Sequence, residues 1–156
     1  MNDVLSPEDI ARKAMGNPTQ KRITALQGYF KELPQVDCPL THEFQGGFYM
    51  RTIHVPRGTV VISKIFKQDF PFYISKGAVS VWVEDGGVKH LQAPFWGHTV
   101  AGSRRIIVHH TDVDWTTIHW VGDLRDLDQI EKQVIYSPDN DKVIEITPEI
   151  VKELSI

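Results

Sequence analysis

Apolar and polar positions follow a helical period in the first part of the chain. Between residues 19 and 33, four apolar residues recur at i, i+3, i+4 and i+7: Leu26, Tyr29, Phe30 and Leu33. This spacing predicts a helix with one buried face. An earlier helix is predicted over residues 6–15, because Ser6 and Pro7 suit an N-cap and a first helical position. We therefore expect a helical N-terminal extension over residues 1–43.

From residue 44 the period of the pattern changes to two. Short apolar, β-branched runs are separated by turn residues about every ten positions, and residues 84–87 read Glu-Asp-Gly-Gly, a hairpin turn signal. No helical pattern separates these runs, as a parallel sheet would require. Residues 44–121 are therefore predicted to form six or seven short strands of a sandwich or barrel. Pro94, Gly97 and Gly102 interrupt the pattern, so the stretch they punctuate is interpreted as a loop.

The helical period returns in the last part of the chain. Leu127, Ile130 and Val134 share one helical face, residues 142–146 form a strand candidate, and a final short helix is predicted from residue 147. We interpret residues 122–156 as a C-terminal helical extension of the barrel. The whole chain, residues 1–156, is predicted to be one domain.

Composition excludes several function classes. The net charge is −3 and no basic run, such as Arg104-Arg105, is longer than two residues, so no basic stripe indicates nucleic-acid binding. Cys38 is the only cysteine, and no signal pattern or membrane-length apolar run is found. We expect no nucleic-acid or membrane partner and a cytoplasmic location.

A spaced set of glycines resembles the first motif of the cupins. That motif reads Gly, five residues, His-any-His, three or four residues, Glu, six residues, Gly. Here Gly58 and Gly77 keep the frame, while Lys64, Phe66 and Phe70 occupy the positions of the metal ligands. Lysine is cationic at neutral pH and phenylalanine has no donor atom, so these residues cannot hold a metal.

The second cupin motif, Pro-any-Gly, two residues, His, is matched by residues 100–105. Residues 100–102 read Val-Ala-Gly, and Arg105 stands at the ligand position. The resemblance implies a mainly β fold, a cupin-like double-stranded β-helix or jelly-roll barrel. It also leads us to expect no metal, no cofactor and no catalytic residue.

The chain also resembles small cupin-like proteins of unassigned function from tailed bacteriophages. The resemblance covers roughly residues 34–135 and is carried by five segments: residues 34–39, 48–51, 58–60, 84–88 and 114–119. It implies a viral setting, with the host cytoplasm as the location, but it supplies no catalytic role.

Six residues are candidates for ligand binding in the barrel mouth: Lys64, Phe66, Phe70, Arg105, His110 and His119. Lys64 and Arg105 lie on facing hairpins in the predicted barrel and would attract an anion. His109 and His110 are adjacent on an extended segment, so at most one of them enters the barrel. A metal site built on His110 and His119 with a distant acid stays open as an alternative.

The preferred interpretation is a non-catalytic, phage-encoded accessory or binding protein that acts through a protein partner, with a host protein as a candidate. One alternative is a binder of a small anionic metabolite or nucleotide in the barrel mouth. Another is a metal-dependent cupin enzyme, an isomerase or dioxygenase. A homodimer is also expected, because such barrels leave edge strands that are usually paired or covered.

Overall fold

The computed structural model describes residues 23, 28, 30, 32–82, 88–137 and 142–145. Strands dominate this part of the chain, and one helix, α1 (Leu127–Val134), has both ends within it. The strands are β1 (Leu40–Gln45), β2 (Phe48–Val55), β3 (Thr59–Ile62), β4 (Ile65–Phe66), β5 (Phe70–Lys76), β6 (Ala78–Trp82), β7 (Val88–Gln92), β8 (Phe95–Thr99), β9 (Ile106–His109), β10 (Val113–Trp120), β11 (Ile135–Ser137) and β12 (Lys142–Glu145).

The strands form two five-stranded sheets and one short ribbon. Sheet I has the order β1-β2-β10-β5-β8, and sheet II has the order β12-β3-β9-β6-β7. Strands β4 and β11 form the ribbon. All pairs are antiparallel, and neighbours in a sheet are often distant in sequence, as in β3 beside β9. These crossovers produce the double-stranded β-helix, a barrel of two antiparallel sheets, that the sequence predicted.

The residues that face the barrel interior are every second residue along a strand, as the alternating sequence pattern predicted. Along β10, Val113, Trp115, Thr117 and His119 are buried, while the residues between them are more exposed. Val113 and Trp115 pack with buried residues of both sheets, among them Ile74 from sheet I and Ile107 from sheet II. The alternation therefore places one side of each strand between the sheets.

The other face of sheet II is also buried. Val60, Ile62, Ile106 and Val108 form a second core cluster with Ile23 and Phe30, which are helical and completely buried. Leu33 packs against the same cluster. The predicted helical face of residues 19–33 thus covers sheet II through Phe30 and Leu33, whereas Leu26, Tyr29 and the helix at 6–15 lie outside the described residues.

Helix α1 closes one end of the barrel. The Asp126 side chain caps it by accepting a hydrogen bond from the Gln129 backbone N–H at 3.1 Å. Ile130 and Val134 face inward and pack on Phe66 and Tyr49. The helix predicted from the Leu127, Ile130 and Val134 spacing is therefore confirmed, although Leu127 itself is exposed.

The predicted fold class is confirmed, and two details differ from the sequence interpretation. The first strand begins at Leu40, within the stretch assigned to the helical extension. Residues 95–99 form β8, although Pro94 and Gly97 had marked a loop. The predicted hairpin turn at 84–87 and the final helix from 147 lie outside the described residues. In the described residues, no helix is long and apolar enough to cross a membrane.

Candidate functional site

Arg105 is positioned inside the barrel by the turn before β9. Its backbone N–H donates to the Ser63 hydroxyl at 2.9 Å, which ties this turn to the end of β3. Its side chain borders an inner cavity of about 70 Å³ between the sheets. Lys64 and Arg51 border the same cavity, so three cationic side chains converge there.

The guanidinium of Arg105 is held by few polar groups. Nη2 donates to Thr99 Oγ1 at 2.8 Å, and the guanidinium carbon lies 5.4 Å from the Phe72 ring centre and 5.7 Å from that of Trp115. The Nε atom is buried and has no hydrogen-bond partner among the described residues. Within residues 32–82 and 88–137, no carboxylate forms an ion pair with this side chain.

The charge of Arg105 persists despite this burial. Desolvation lowers the pKa of Arg105 to about 10, because a low-dielectric surrounding disfavours the cation. A pKa near 10 still leaves the side chain protonated at pH 7. Aromatic faces compensate a buried cation only in part, and an unpaired buried charge is costly. Arg105 therefore carries a positive charge that no carboxylate among the described residues neutralises.

Lys64 has a different environment. Its Nζ lies 3.3 Å from Glu131 Oε1 on α1, and its side chain retains 12% of its surface exposed. Lys64 faces both the inner cavity and a second cavity of about 130 Å³ beneath α1. Its charge is thus neutralised by the helix, whereas that of Arg105 is not.

Phe66, Phe70 and His119 form one aromatic cluster. The two phenylalanine rings are 4.5 Å apart, and the His119 ring lies 4.5 Å from Phe70 and 5.8 Å from Phe66. His119 Nε2 is 3.1 Å from Thr117 Oγ1. Desolvation, with a smaller contribution from the charge of Arg51, lowers the pKa of His119 to about 4. The structure thus brings three of the candidates together as packed, uncharged rings.

His110 lies on the opposite side of sheet II from the cavity. Its Nε2 is 2.6 Å from the Ser80 hydroxyl, which is also 2.7 Å from His90 Nδ1, and His110 is exposed. His109 borders the inner cavity instead, with Nδ1 donating to the Thr59 carbonyl at 2.9 Å. Desolvation lowers the pKa of His109 to about 4, so it is neutral at pH 7. The sequence predicted that at most one of this pair enters the barrel, and the structure shows that His109 does.

A larger opening, which we call the outer cleft, meets the inner cavity at Arg105. It has a volume of about 520 Å³, and Arg105 borders both spaces. The cleft is lined by Phe72, Val81, Lys89, Leu91, Phe95, Gly97, His98, Val100, Ser103 and Arg105. Sequence reasoning missed it because it depends on β8, the strand that the sequence did not predict.

The outer face of sheet I carries unburied aromatic side chains. Trp120 is 64% exposed and packs edge-on against Phe48 at 5.0 Å. Trp96 is 63% exposed and lies 4.3 Å from the Tyr73 ring. Two aromatic pairs therefore face solvent on one sheet surface, which we call the aromatic face.

A hydrogen-bonded chain of hydroxyl, imidazole and carboxylate also lies on this side of sheet I. His54 Nδ1 is 2.7 Å from Asp114 Oδ1, and His54 Nε2 is 2.7 Å from Thr41 Oγ1. Thr41 is exposed, and none of the three residues borders the inner cavity, the outer cleft or the cavity beneath α1. This hydrogen-bonded chain thus links the adjacent strands β1, β2 and β10 without enclosing a substrate, and we assign it no catalytic role.

The two sheets and their crossovers define a cupin-type double-stranded β-helix, and solved structures share this fold. Ectoine synthase from P. lautus matches with a TM-score of 0.54 and 11% identity, over 73% of this chain and 84% of the other. A cupin superfamily protein from Desulfitobacterium hafniense matches with a TM-score of 0.46 and 14% identity, over 58% and 83%. An RmlC-like cupin from Methanocaldococcus jannaschii gives 0.45 and 11%, over 55% and 81%. No family model and no curated protein matches the sequence.

The residues at the cupin ligand positions do not fit a metal. Lys64 and Arg105 are cations, and the rings of Phe66 and Phe70 pack on each other instead of offering donor atoms. Within the described part of the chain, no three side chains of His, Cys, Asp or Glu are grouped as a metal site requires. We derive no metal chemistry for this barrel.

Proposed function

We propose that this chain is a non-catalytic binding protein that takes a small anion inside its barrel. The observation that carries the proposal is Arg105, a partly buried cation whose buried Nε has no hydrogen-bond partner among the described residues and whose side chain borders both interior spaces. An anion placed there would form charge-assisted hydrogen bonds and neutralise the guanidinium. This was the alternative interpretation of the sequence, and the environment of Arg105 now favours it over a protein contact.

Two further features support anion binding. Arg51 and Lys64 border the inner cavity beside Arg105, which gives it a positive lining in a protein whose net charge is −3. Desolvation lowers the pKa of His109 to about 4, so this ring is neutral at pH 7 and the positive charge of the lining comes from the basic side chains. The side chains offer binding groups and no activated nucleophile or base.

Calorimetric titration tests the proposal. The purified protein is titrated with small carboxylates and phosphates, alongside Arg105→Gln and the control Arg57→Gln, which removes an exposed arginine from the turn before β3. We expect an anion to bind the wild type and Arg57→Gln equally and to lose at least about tenfold in affinity with Arg105→Gln. Anion binding that Arg105→Gln leaves intact would contradict the proposal.

A protein partner on the aromatic face is the second candidate function. Exposed tryptophan and tyrosine side chains are enriched among residues that dominate protein interfaces, and Trp96, Trp120, Tyr73 and Phe48 lie on one surface. In a phage-encoded accessory protein, the partner would be a host protein. Neither Lys64 nor Arg105 would be needed for this contact.

A double variant separates the second candidate from the first. Trp96→Ser/Trp120→Ser should abolish binding to a purified partner, while Arg105→Gln should leave it unchanged. The readout is the affinity for that partner in a direct titration. A partner that binds the double variant as tightly as wild type would exclude the aromatic face.

Self-association is a separate proposal. The edge strands of the two sheets are β1 and β8 in sheet I and β7 and β12 in sheet II, and unpaired edges favour pairing with a second copy. We expect light scattering at micromolar concentration to give twice the chain mass of 17.8 kDa. The monomer mass would reject the dimer.

A further inference from the structure

The outer cleft and Arg105 share one border, and this geometry restricts what the cleft can hold. The cleft has a volume of about 520 Å³, which lies in the range of small-molecule sites. Its inner end is formed by Arg105, the same residue that borders the inner cavity. A ligand in the cleft can therefore place one end on the guanidinium while its body remains in the cleft.

Apolar side chains form most of the cleft wall. Phe72, Val81, Leu91, Phe95 and Val100 supply aliphatic and aromatic surface. Phe72 is central, because its ring lies under the guanidinium at 5.4 Å and also 6.1 Å from the Phe95 ring. The body of the ligand should therefore be apolar.

Gly97 makes this wall possible. A Cβ at Gly97 would lie 2.5 Å from Phe72 Cζ, closer than such atoms approach, and in a tight contact of 3.0 Å with Phe95 Cε1. The absence of a side chain at this position of β8 lets both rings take their places. Phe95 is only partly buried and offers a flat surface against which a planar group can pack, whereas Phe72 is 3% exposed and supports the wall from behind.

Polar groups in the cleft are few, which limits the charge of the ligand. Ser103 already donates its hydroxyl hydrogen to the Val100 carbonyl at 2.6 Å, and Lys89 and His98 are exposed. A sugar or a polyphosphate would leave many of its polar atoms unpaired against the apolar wall. Arg105, the cation at the inner end of the cleft, therefore matches a ligand with a single anionic group.

We infer that the outer cleft and Arg105 together form a site for an apolar monocarboxylic acid, with the carboxylate at Arg105 and a planar body against Leu91 and Phe95. This inference rests on the proposed function, since it names the class of anion. Sugar phosphates and nucleotides are the competing class, and the test below includes them.

A matched ligand series tests the inference on the intact protein. The probes are 2-naphthoate, its uncharged analogue 2-naphthamide, acetate, glucose 6-phosphate and AMP, each titrated calorimetrically at pH 7.5. We expect 2-naphthoate to bind at least about tenfold more tightly than either the amide, which lacks the charge, or acetate, which lacks the apolar body. Tighter binding of a phosphorylated probe would overturn the inference.

Two variants test the placement. Leu91→Trp fills the cleft and should weaken 2-naphthoate binding at least about tenfold while leaving the weak affinity for acetate unchanged. The control is Val88→Trp on the same strand, which adds a ring at an exposed position outside the cleft lining and should have no effect. Equal loss with both tryptophan variants, or none with Leu91→Trp, would overturn the placement.

The outcomes separate the inference from the proposed function. If every anion binds through Arg105 with no preference for the apolar acid, the inference fails and anion binding stands. If no probe depends on Arg105, both fail. Circular dichroism and urea unfolding establish that each variant is folded, and the ligand series on wild type decides the class even if one variant is not.

Discussion

The two ends of the barrel interior are built from similar aromatic residues, but only one of them pairs its cation with a described carboxylate. At the end beneath α1, Phe66, Phe70 and His119 fill the space, and Lys64 is paired with Glu131. At the end beneath β8, Phe72 and Phe95 line an open cleft, and Arg105 has no acidic partner among the described residues. The first end serves packing, and the second is left incomplete in a way that a ligand would complete.

The largest expected effect concerns the filled end. Phe70 is buried between Phe66 and His119, so Phe70→Ala should lower the free energy of unfolding by about 3–5 kcal/mol. Phe95 in the cleft wall is only partly buried, so Phe95→Ala should cost clearly less. Urea unfolding measures both, and equal losses would show that the two ends are packed alike.

Acidification should weaken the filled end. The pKa of His119 falls from 6.5 unfolded to about 4 folded, so the unfolded chain binds more protons between these values. Its contribution is fully present above pH 6.5 and is lost as the pH falls to about 4, by about 2 kcal/mol at pH 5. His109 adds a similar loss with the same sign.

His119→Phe isolates this effect. The variant keeps an aromatic ring beside Phe66 and Phe70 but cannot be protonated. The difference in unfolding free energy between pH 7.5 and pH 5 should be about 2 kcal/mol smaller than in wild type. An unchanged pH dependence would mean that His119 is accessible to protons in the folded state.

At the open end, replacing the cation should raise the free energy of unfolding instead of lowering it. Arg105→Met removes a partly buried cation that has no acidic partner among the described residues and keeps an unbranched apolar side chain, so it should stabilise the ligand-free protein by about 1 kcal/mol. Urea unfolding without ligand measures this change. A marked loss of stability would show that the contacts with Thr99, Phe72 and Trp115 outweigh the cost of burial.

The smallest effect is expected at the Lys64–Glu131 pair. Glu131 is 46% exposed, so solvent screens the interaction, and Glu131→Gln should cost no more than about 0.5 kcal/mol. A second measurement is the affinity for small anions, which should rise slightly because Lys64 is released. A loss above 2 kcal/mol would mean that α1 docks mainly through charge.

The sequence revealed the barrel but not the cleft, for physical reasons. Alternation and turn residues report which side of a strand is buried, and these were enough to predict the fold class. Gly97 was interpreted as a loop residue, yet it lies within β8. A residue with a side chain does not fit there because Phe72 occupies the space that a Cβ would take. Phe72 is distant in sequence, so this reason for a glycine could not be seen from local pattern.

The histidines illustrate a related limit. Alternation required that only one of His109 and His110 enter the barrel, and the structure places His109 inside. Which of the two histidines points into the barrel depends on how β9 pairs with β3 and β6, and the sequence does not show this pairing. Likewise, the motif spacing placed Arg105 near the interior, but only the assembled sheets show that no carboxylate of the described residues pairs with it.

The stacking of Phe72 on Trp115 gives the protein an optical signal of its own interior. The two rings lie 4.4 Å apart with an interplanar angle of 20°, and the Arg105 guanidinium is 5.7 Å from the indole. Indole emission responds to nearby charge, so neutralising the guanidinium or shifting Phe72 should change the fluorescence of Trp115. Trp96 and Trp120 are exposed and emit at longer wavelength, and Trp82→Phe removes the second buried indole, so that the signal of Trp115 can be separated. Occupancy of the barrel can thus be followed by light, without a label.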